Sequence, residues 1–203
     1  MSSLRGSRPA GAPGAAVPAD LETRVREFLA AGDDGAAATR VIEALGPSVL
    51  GYLCRLHGTD DGKDVYSSWE VAVWKSLPAF RFEASLRAWS YRLAWNVAAR
   101  FHGDPWRRRR ERLATSAASR LPAASPSRRT GGRRGDLEEL SDGLDPEETT
   151  LLMLRLQREM TWEEISAVLS EEGRPLKPPA LRKRFQRIKD RMARLARGKG
   201  LLR

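Results

Sequence analysis

Near the end of the chain, Leu181, Phe185, Ile188, Met192 and Leu195 stand four, three, four and three positions apart. That spacing returns to one face of an α-helix but scatters over both faces of a strand, so it predicts one helix with a continuous buried stripe. The same period governs the earlier apolar clusters: Val41, Ile42, Leu45, Val49, Leu50 and Leu53; then Val65, Trp69, Val73 and Leu77; then Leu86, Trp89, Leu93 and Val97. Three amphipathic helices are the simplest form for these stripes, with Pro78 ending the second and Ser85 placed to cap the third. Because every strong apolar signal has helical period, the expected class is all-α.

Between the stripes the sequence changes character. The opening residues are Ala, Gly, Pro and Ser without apolar period; they bury too little surface to offset ordering entropy, which predicts a disordered tail over residues 1–20. Residues 104 to 135 hold ten arginines against Asp104 and Glu111, interrupted by Pro122, Pro126, Gly131 and Gly132. This composition predicts a flexible linker over residues 104–144. Two small helical domains remain, 21–103 and 145–203. With 31% of residues charged, a single large core is not expected.

The net charge of +10 is distributed in blocks. Residues 20 to 79 carry ten acids and six bases, residues 136 to 172 carry twelve acids against Arg155 and Arg158, and residues 178 to 203 carry ten bases against Asp190 alone. A cationic balance of this size favours a polyanionic partner, and nucleic acid is the commonest one. No apolar run approaches the roughly 20 residues that span a bilayer, and the N-terminal segment lacks the apolar core of a signal peptide, so a cytoplasmic chain without membrane insertion is expected.

The second domain marks its own helix boundaries. Asp145-Pro146-Glu147-Glu148 offers a cap, a proline at the first helical position and an acid at the third. Thr161-Trp162-Glu163-Glu164 has the form of a capping box, with Ile165, Val168 and Leu169 to be buried behind it. Gly173 and Pro175 end that helix, and Pro178-Pro179 open the last one. Helix, break and basic helix together are the sequence form of a helix-turn-helix, although the break from Ser170 to Lys177 is longer than usual. About 19 residues at roughly 1.5 Å each would give a final helix of roughly 28 Å, long enough to cross a major groove. With the apolar stripe inward, Arg182, Lys183, Arg184, Gln186, Arg187 and Arg191 are the candidate groove contacts, since Arg can read guanine, Gln adenine, and Lys can hold phosphate. A solvated helix with coiled-coil partners has the same outward pattern.

In the first domain, Phe80, Phe82, Trp89, Tyr91 and Trp95 are interleaved with Arg81, Arg87, Arg92, Asn96 and Arg100. Aromatics among cations can stack unpaired bases while the cations hold phosphate, but aromatics at helical spacing are more often core. Trp89 belongs to the apolar stripe; Arg92, Trp95 and Asn96 fall off it and form the better candidate for a working face.

These segments resemble a known family. Asp64-Val65, then Trp74-Lys75-Ser76-Leu77-Pro78-Ala79-Phe80-Arg81, then Ala84 through Asn96, look like region 2 of sigma-70 family factors, especially the extracytoplasmic-function (ECF) type. Met160-Thr161-Trp162-Glu163-Glu164-Ile165, followed by Ala180-Leu181-Arg182-Lys183-Arg184, look like their region 4. The two resemblances occur in the family's order and cover about 140 residues. They imply a sigma factor that binds core RNA polymerase and promoter DNA, with Asp64, Ser67, Ser68 and Trp69 near the clamp helices of the largest subunit. Arg81, Phe82, Glu83 and Ser85, with Arg92, Trp95 and Asn96, would capture single-stranded bases of the −10 element. The helix from Pro179 would enter the −35 major groove, and the polymerase flap and an anti-sigma factor are the further partners the family suggests. Ser67-Ser68 stands where the family often has Gln-Glu.

Other classes have less support. A helix-turn-helix regulator acting without polymerase would explain the second domain and leave the first without a role, and an RNA-binding basic protein would need to prefer structured RNA. Cys54 is the only cysteine, which excludes an intramolecular disulfide, and no carboxylate sits with His57 or His102 at metal spacing. There is no glycine-rich phosphate loop either, so neither an enzyme, nor a metal, nor a cofactor is expected.

Overall fold

A computed structural model of the chain describes residues 20–103, 144–170 and 175–198. All but the last residue of the expected N-terminal tail and of the expected linker, and the tip of the break after Ser170, lie outside the described residues; Asp20, expected in the tail, instead precedes the first helix and pairs with Arg24 at 2.7 Å. Among those described, all regular secondary structure is helical.

The first domain has four helices where the apolar stripes predict three. The additional one, α1, spans Leu21–Ala30 and buries Leu21 and Val25; two buried residues one turn apart are too few to register as a stripe. Gly32, at φ +75°, turns the chain, and the Asp33 carboxylate then accepts a hydrogen bond from the Ala36 amide at 2.9 Å, capping α2, Asp34–His57. Val41, Leu45, Val49 and Leu53 are buried along α2 as expected, together with Ala37, Ala38 and Tyr52. This long apolar contact carries the helix through the interior Pro47. Gly58, at φ +80°, ends α2 and starts α3, Thr59–Ser76. Where the two helices meet, a methyl on Gly62 would stand 2.5 Å from Cys54 Cα, so the close approach requires glycine.

A single 3-10 turn, Leu77–Ala79, carries Pro78 and leads through an extended connection to α4, Leu86–Gly103. The buried side of α4 is rotated from the expected stripe. Leu86 and Val97 are core, but Trp89 and Leu93 are only half-buried, while Ala88, Ser90, Tyr91, Ala94 and Ala98 are buried. The physical reason is that α4 lies between α3 on one side and the second domain on the other, so small residues lie at close contacts instead of large ones on one stripe.

In the second domain, α5 spans Pro146–Leu152 and continues as a π-turn over Met153–Gln157. It is followed by α6, Trp162–Leu169, and α7, Pro178–Gly198. The expected cap at Asp145 and the expected capping box at Thr161 are both present, and the Asp145 cap is closed into a capping box as well. The Glu148 amide donates to Asp145 at 2.7 Å, and the Glu164 amide donates to the Thr161 hydroxyl at 3.2 Å, each with the reciprocal bond formed. The long break before α7 is tied down by Ser166, whose hydroxyl donates to the Leu176 carbonyl, and by Ser170, whose hydroxyl accepts from the Leu176 amide at 2.9 Å.

The two helical domains are packed against each other. α6 lies on α4 and α5 touches α2, so the buried residues of both join in one hydrophobic cluster, a core more extensive than the composition suggests. At its centre the Tyr52 hydroxyl and the Thr150 hydroxyl are 3.1 Å apart and wholly buried. Burial pushes the Tyr52 phenol far up from its ordinary value of 10.0, keeping it neutral.

Candidate nucleic-acid interface

The final helix divides its cations into two sets. α7 buries Leu181, Ile188 and Ala196, with Phe185 and Met192 half-buried beside them. Leu195, expected on the stripe, is 45% exposed. Arg182, Lys183, Gln186 and Arg187 are exposed as expected, and Gln186 donates to Asp190 at 2.9 Å.

Arg184 and Arg191, expected on the groove-facing side, are instead half-buried on the fold. Arg184 bonds Glu147 and, at 3.3 Å, Asp145; Arg191 bonds Glu148. Seven residues apart, they share one flank of the helix, against which the acidic first turn of α5 is laid. Their charge is satisfied within the domain. The sequence pattern did not single out Lys189, Arg194 and Arg197, which are exposed and extend the free cationic face toward the end of α7.

A second cluster surrounds the connection before α4. The rings of Phe80 and Phe82 are 4.6 Å apart, and those of Phe80 and Trp89 are 4.9 Å apart. They adjoin a cavity of about 290 Å³ lined by Phe80, Arg81, Glu83, Ala88, Trp89 and Arg92, among others, and by Ala167 of α6. Arg81, Glu83 and Arg92 are exposed at its rim. Half-buried Trp95 and exposed Asn96 lie further along α4 and do not line this cavity. The surroundings offer stacking surfaces, two cations and one anion, which suits a flat group carrying both polar edges and negative charge.

Ser85 caps α4 as expected, accepting from the Ala88 amide at 3.1 Å. It also donates to Glu164 at 2.8 Å, so in this packing its hydroxyl is engaged by the second domain. Glu164 is the residue that joins the two sites. Beyond its own capping box it receives Ser85 on one oxygen and Arg87 at 3.1 Å on the other. Burial raises its carboxyl, but the bonds from Thr161, Ser85 and Arg87 outweigh this and hold it below the ordinary 4.5. Nearby, Arg158 donates to the Ser48 carbonyl at 2.9 Å and its own carbonyl accepts from Arg87 at 3.2 Å, fastening α5 and α6 to α2 and α4.

On α3, Asp64, Ser67 and Ser68 are exposed along one face. Trp69, expected beside them at a protein contact, is wholly buried, and its indole donates to the Ser90 carbonyl at 3.1 Å. It belongs to the core and cannot touch a partner. Val71 and Trp74, 51% and 47% exposed, extend the Ser67 face instead. The i+4 and i+7 spacing from Ser67 was the signal for them. Among the described residues, no cluster of His, Cys, Asp or Glu could hold a metal, and no helix is long and apolar enough to cross a membrane.

The sequence matches no protein-family model and no curated protein. Solved structures do match. The chain is similar to CnrH in complex with the cytosolic domain of CnrY, at TM-score 0.59 and 20% identity over 88% of this chain and 99% of that one. It is also similar to the sigma factor RpoE in complex with the anti-sigma factor NepR from Bartonella quintana, at TM-score 0.55 and 16% identity over 77% of this chain and 94% of that one. The chain has the fold of sigma factors of the extracytoplasmic-function type.

Proposed function

We propose that the chain is a sigma factor that binds core RNA polymerase and directs promoter-specific initiation in the cytoplasm. The observation that carries this reading is the pairing, on a sigma-factor fold, of an exposed cationic helix face at Arg182, Lys183 and Arg187 with a separate aromatic and arginine cavity at Phe80 to Arg92. In this reading α7 enters the −35 major groove. Arg81, Glu83 and Ser85, with Arg92, Trp95 and Asn96, receive unpaired bases of the −10 element, while Phe82, packed against Arg26 and Phe80 and outside the cavity lining, supports that surface from behind. Asp64, Ser67 and Ser68, extended by Val71 and Trp74, meet the polymerase clamp. Arg184 and Arg191 act by orienting α7 on α5.

Energetics make the polymerase necessary. Opening about ten base pairs costs on the order of 14 kcal/mol at about 1.4 kcal/mol per step. Stacking two captured bases returns about 2 to 6 kcal/mol. The difference comes from the core enzyme, so the isolated chain leaves duplex promoter closed. A regulator acting without polymerase leaves the cavity and the exposed α3 face unused.

The docked domains add a second partner class. With Ser85 and Arg87 held on Glu164, and Ala167 forming part of the cavity wall, the first domain reads bases only after α6 moves away. The two similar structures hold CnrY and the anti-sigma factor NepR respectively. We assign an anti-sigma factor to this chain as the partner that would keep such a protein from polymerase. The deciding experiment adds purified chain to core RNA polymerase and maps transcript start sites. Start sites downstream of a shared two-element motif support the reading, and absence of a stable complex with core overturns it.

A further inference from the structure

The connection before α4 has an unusual backbone, and α1 is packed against both of its ends. Phe82 adopts φ +55°, a conformation that bulky side chains rarely adopt, so the surroundings must hold it. The Arg26 guanidinium lies 4.3 Å from the centre of the Phe82 ring. Phe82 also rests against Phe80, their ring centroids 4.6 Å apart. Four residues before Arg26, Glu22 accepts a hydrogen bond from the Leu86 amide at 2.8 Å. That amide opens α4 and has no partner within its own helix. Glu22 and Arg26 lie on one face of α1, 3.7 Å apart, so a single rigid turn grips the aromatic side chain and the backbone on either side of Glu83, Ala84 and Ser85.

We infer that Glu22 and Arg26 are positioning residues for base capture, holding Phe82 so that Phe80 and Trp89 form one wall of the cavity and Arg81 and Glu83 sit at its rim. This inference rests on the sigma-factor reading above. Neither residue lines the cavity, so both act through the connection. The stacked cation is needed because the alternative, Phe82 relaxing to negative φ, would turn its ring off Phe80 and move the neighbouring side chains with it.

The test uses the full chain bound to core polymerase, comparing R26A, R26K, E22A and E22Q with the wild type. Three quantities are read: duplex affinity at the −35 element, the rate of promoter opening followed by permanganate reactivity, and thermal melting of the chain. R26A is expected to slow opening about tenfold while leaving −35 affinity unchanged, with R26K recovering most of the loss because a lysine keeps a cation over the ring. E22A is expected to do the same, and E22Q to recover, because the amide oxygen still accepts from Leu86. Opening at the wild-type rate in R26A and E22A overturns the inference, as does a loss that tracks the melting temperature and is shared by the conservative variants. A wild-type chain that supports no initiation with core rejects the sigma reading itself, and the inference with it. A wild type that initiates while the variants open normally rejects only the role given to α1.

Discussion

Arg87 of α4 and Glu164 of α6 are 77 residues apart in sequence and bonded at 3.1 Å across the two domains. Their side chains are 29% and 19% exposed, buried enough for the pair to escape most of the screening that weakens surface ion pairs. Removing Arg87 leaves a half-buried carboxylate short of one charged donor, which should cost about 2 kcal/mol of stability. E164A should cost about 1 kcal/mol more, because it also removes the capping box of α6. E164Q keeps that box and should be the mildest of the three. Denaturant unfolding of the variants gives the order directly, and equal losses for R87A and E164A would show that the cap contributes nothing.

The same carboxylate sets an acid limit. Burial raises the Glu164 carboxyl, and the bonds from Thr161, Ser85 and Arg87 lower it further than burial lifts it, so its folded-state pKa is below the ordinary 4.5. A depressed folded pKa contributes stability that is fully present above the unfolded value and is lost as pH falls through the folded one. The melting temperature should therefore show no Glu164 contribution to its pH dependence above about pH 5 and a decline below it that E164Q reduces. Identical acid profiles for wild type and E164Q would remove Glu164 from this role.

Among the arginines of α7, exposure separates reading from holding. Arg182 and Arg187 are exposed, whereas Arg184 and Arg191 are bonded to the first turn of α5. R182A with R187A should reduce the slope of log affinity against log salt on −35 duplex by about two units, one for each phosphate that no longer meets an arginine. R184A or R191A should instead lower stability by about 1 kcal/mol and change affinity through the orientation of α7, with the slope kept. Salt titrations of duplex binding distinguish the two sets, and a reduced slope in R184A would return that residue to the DNA face.

The legible part of this molecule was the part written in side-chain types and spacing. Helical period gave the class, Asp145-Pro146 and Thr161 gave their caps, and the stripe of α7 gave its inner face through Met192. Contacts between helices distant in sequence were not legible. Trp69 falls on the apolar stripe with Val65 and Val73 and is buried as that stripe predicts, against the surface role the family resemblance implied; its indole partner, the Ser90 carbonyl, is met only when α4 is laid beside α3. Arg184 and Arg191 carry no local sign that Asp145, Glu147 and Glu148 will meet them, more than 35 residues away. Tertiary packing determines which of several similar arginines are free, and a single helix pattern does not contain that information. For α1 the difficulty was its small buried surface, although Leu21 and Val25 are one turn apart.

Trp95 and Asn96 supply the sharpest separation between binding and opening. Both lie beyond the cavity on α4, Trp95 half-buried and Asn96 exposed. Duplex recognition through α7 does not use them, so closed-complex affinity in W95A or N96A should stay within about twofold of wild type, an effect of a few tenths of a kcal/mol. Opening exposes bases that need a stacking surface, and losing one such surface is worth about 1 to 3 kcal/mol. The opening rate should therefore fall by at least about fivefold in W95A, with less effect in N96A, where only a hydrogen-bonding edge is lost. A supercoiled template supplies part of the melting energy and should narrow the gap between W95A and wild type. Equal losses in closed-complex affinity and opening rate would place Trp95 in the scaffold of the first domain and leave base capture to the cavity between Phe80 and Arg92.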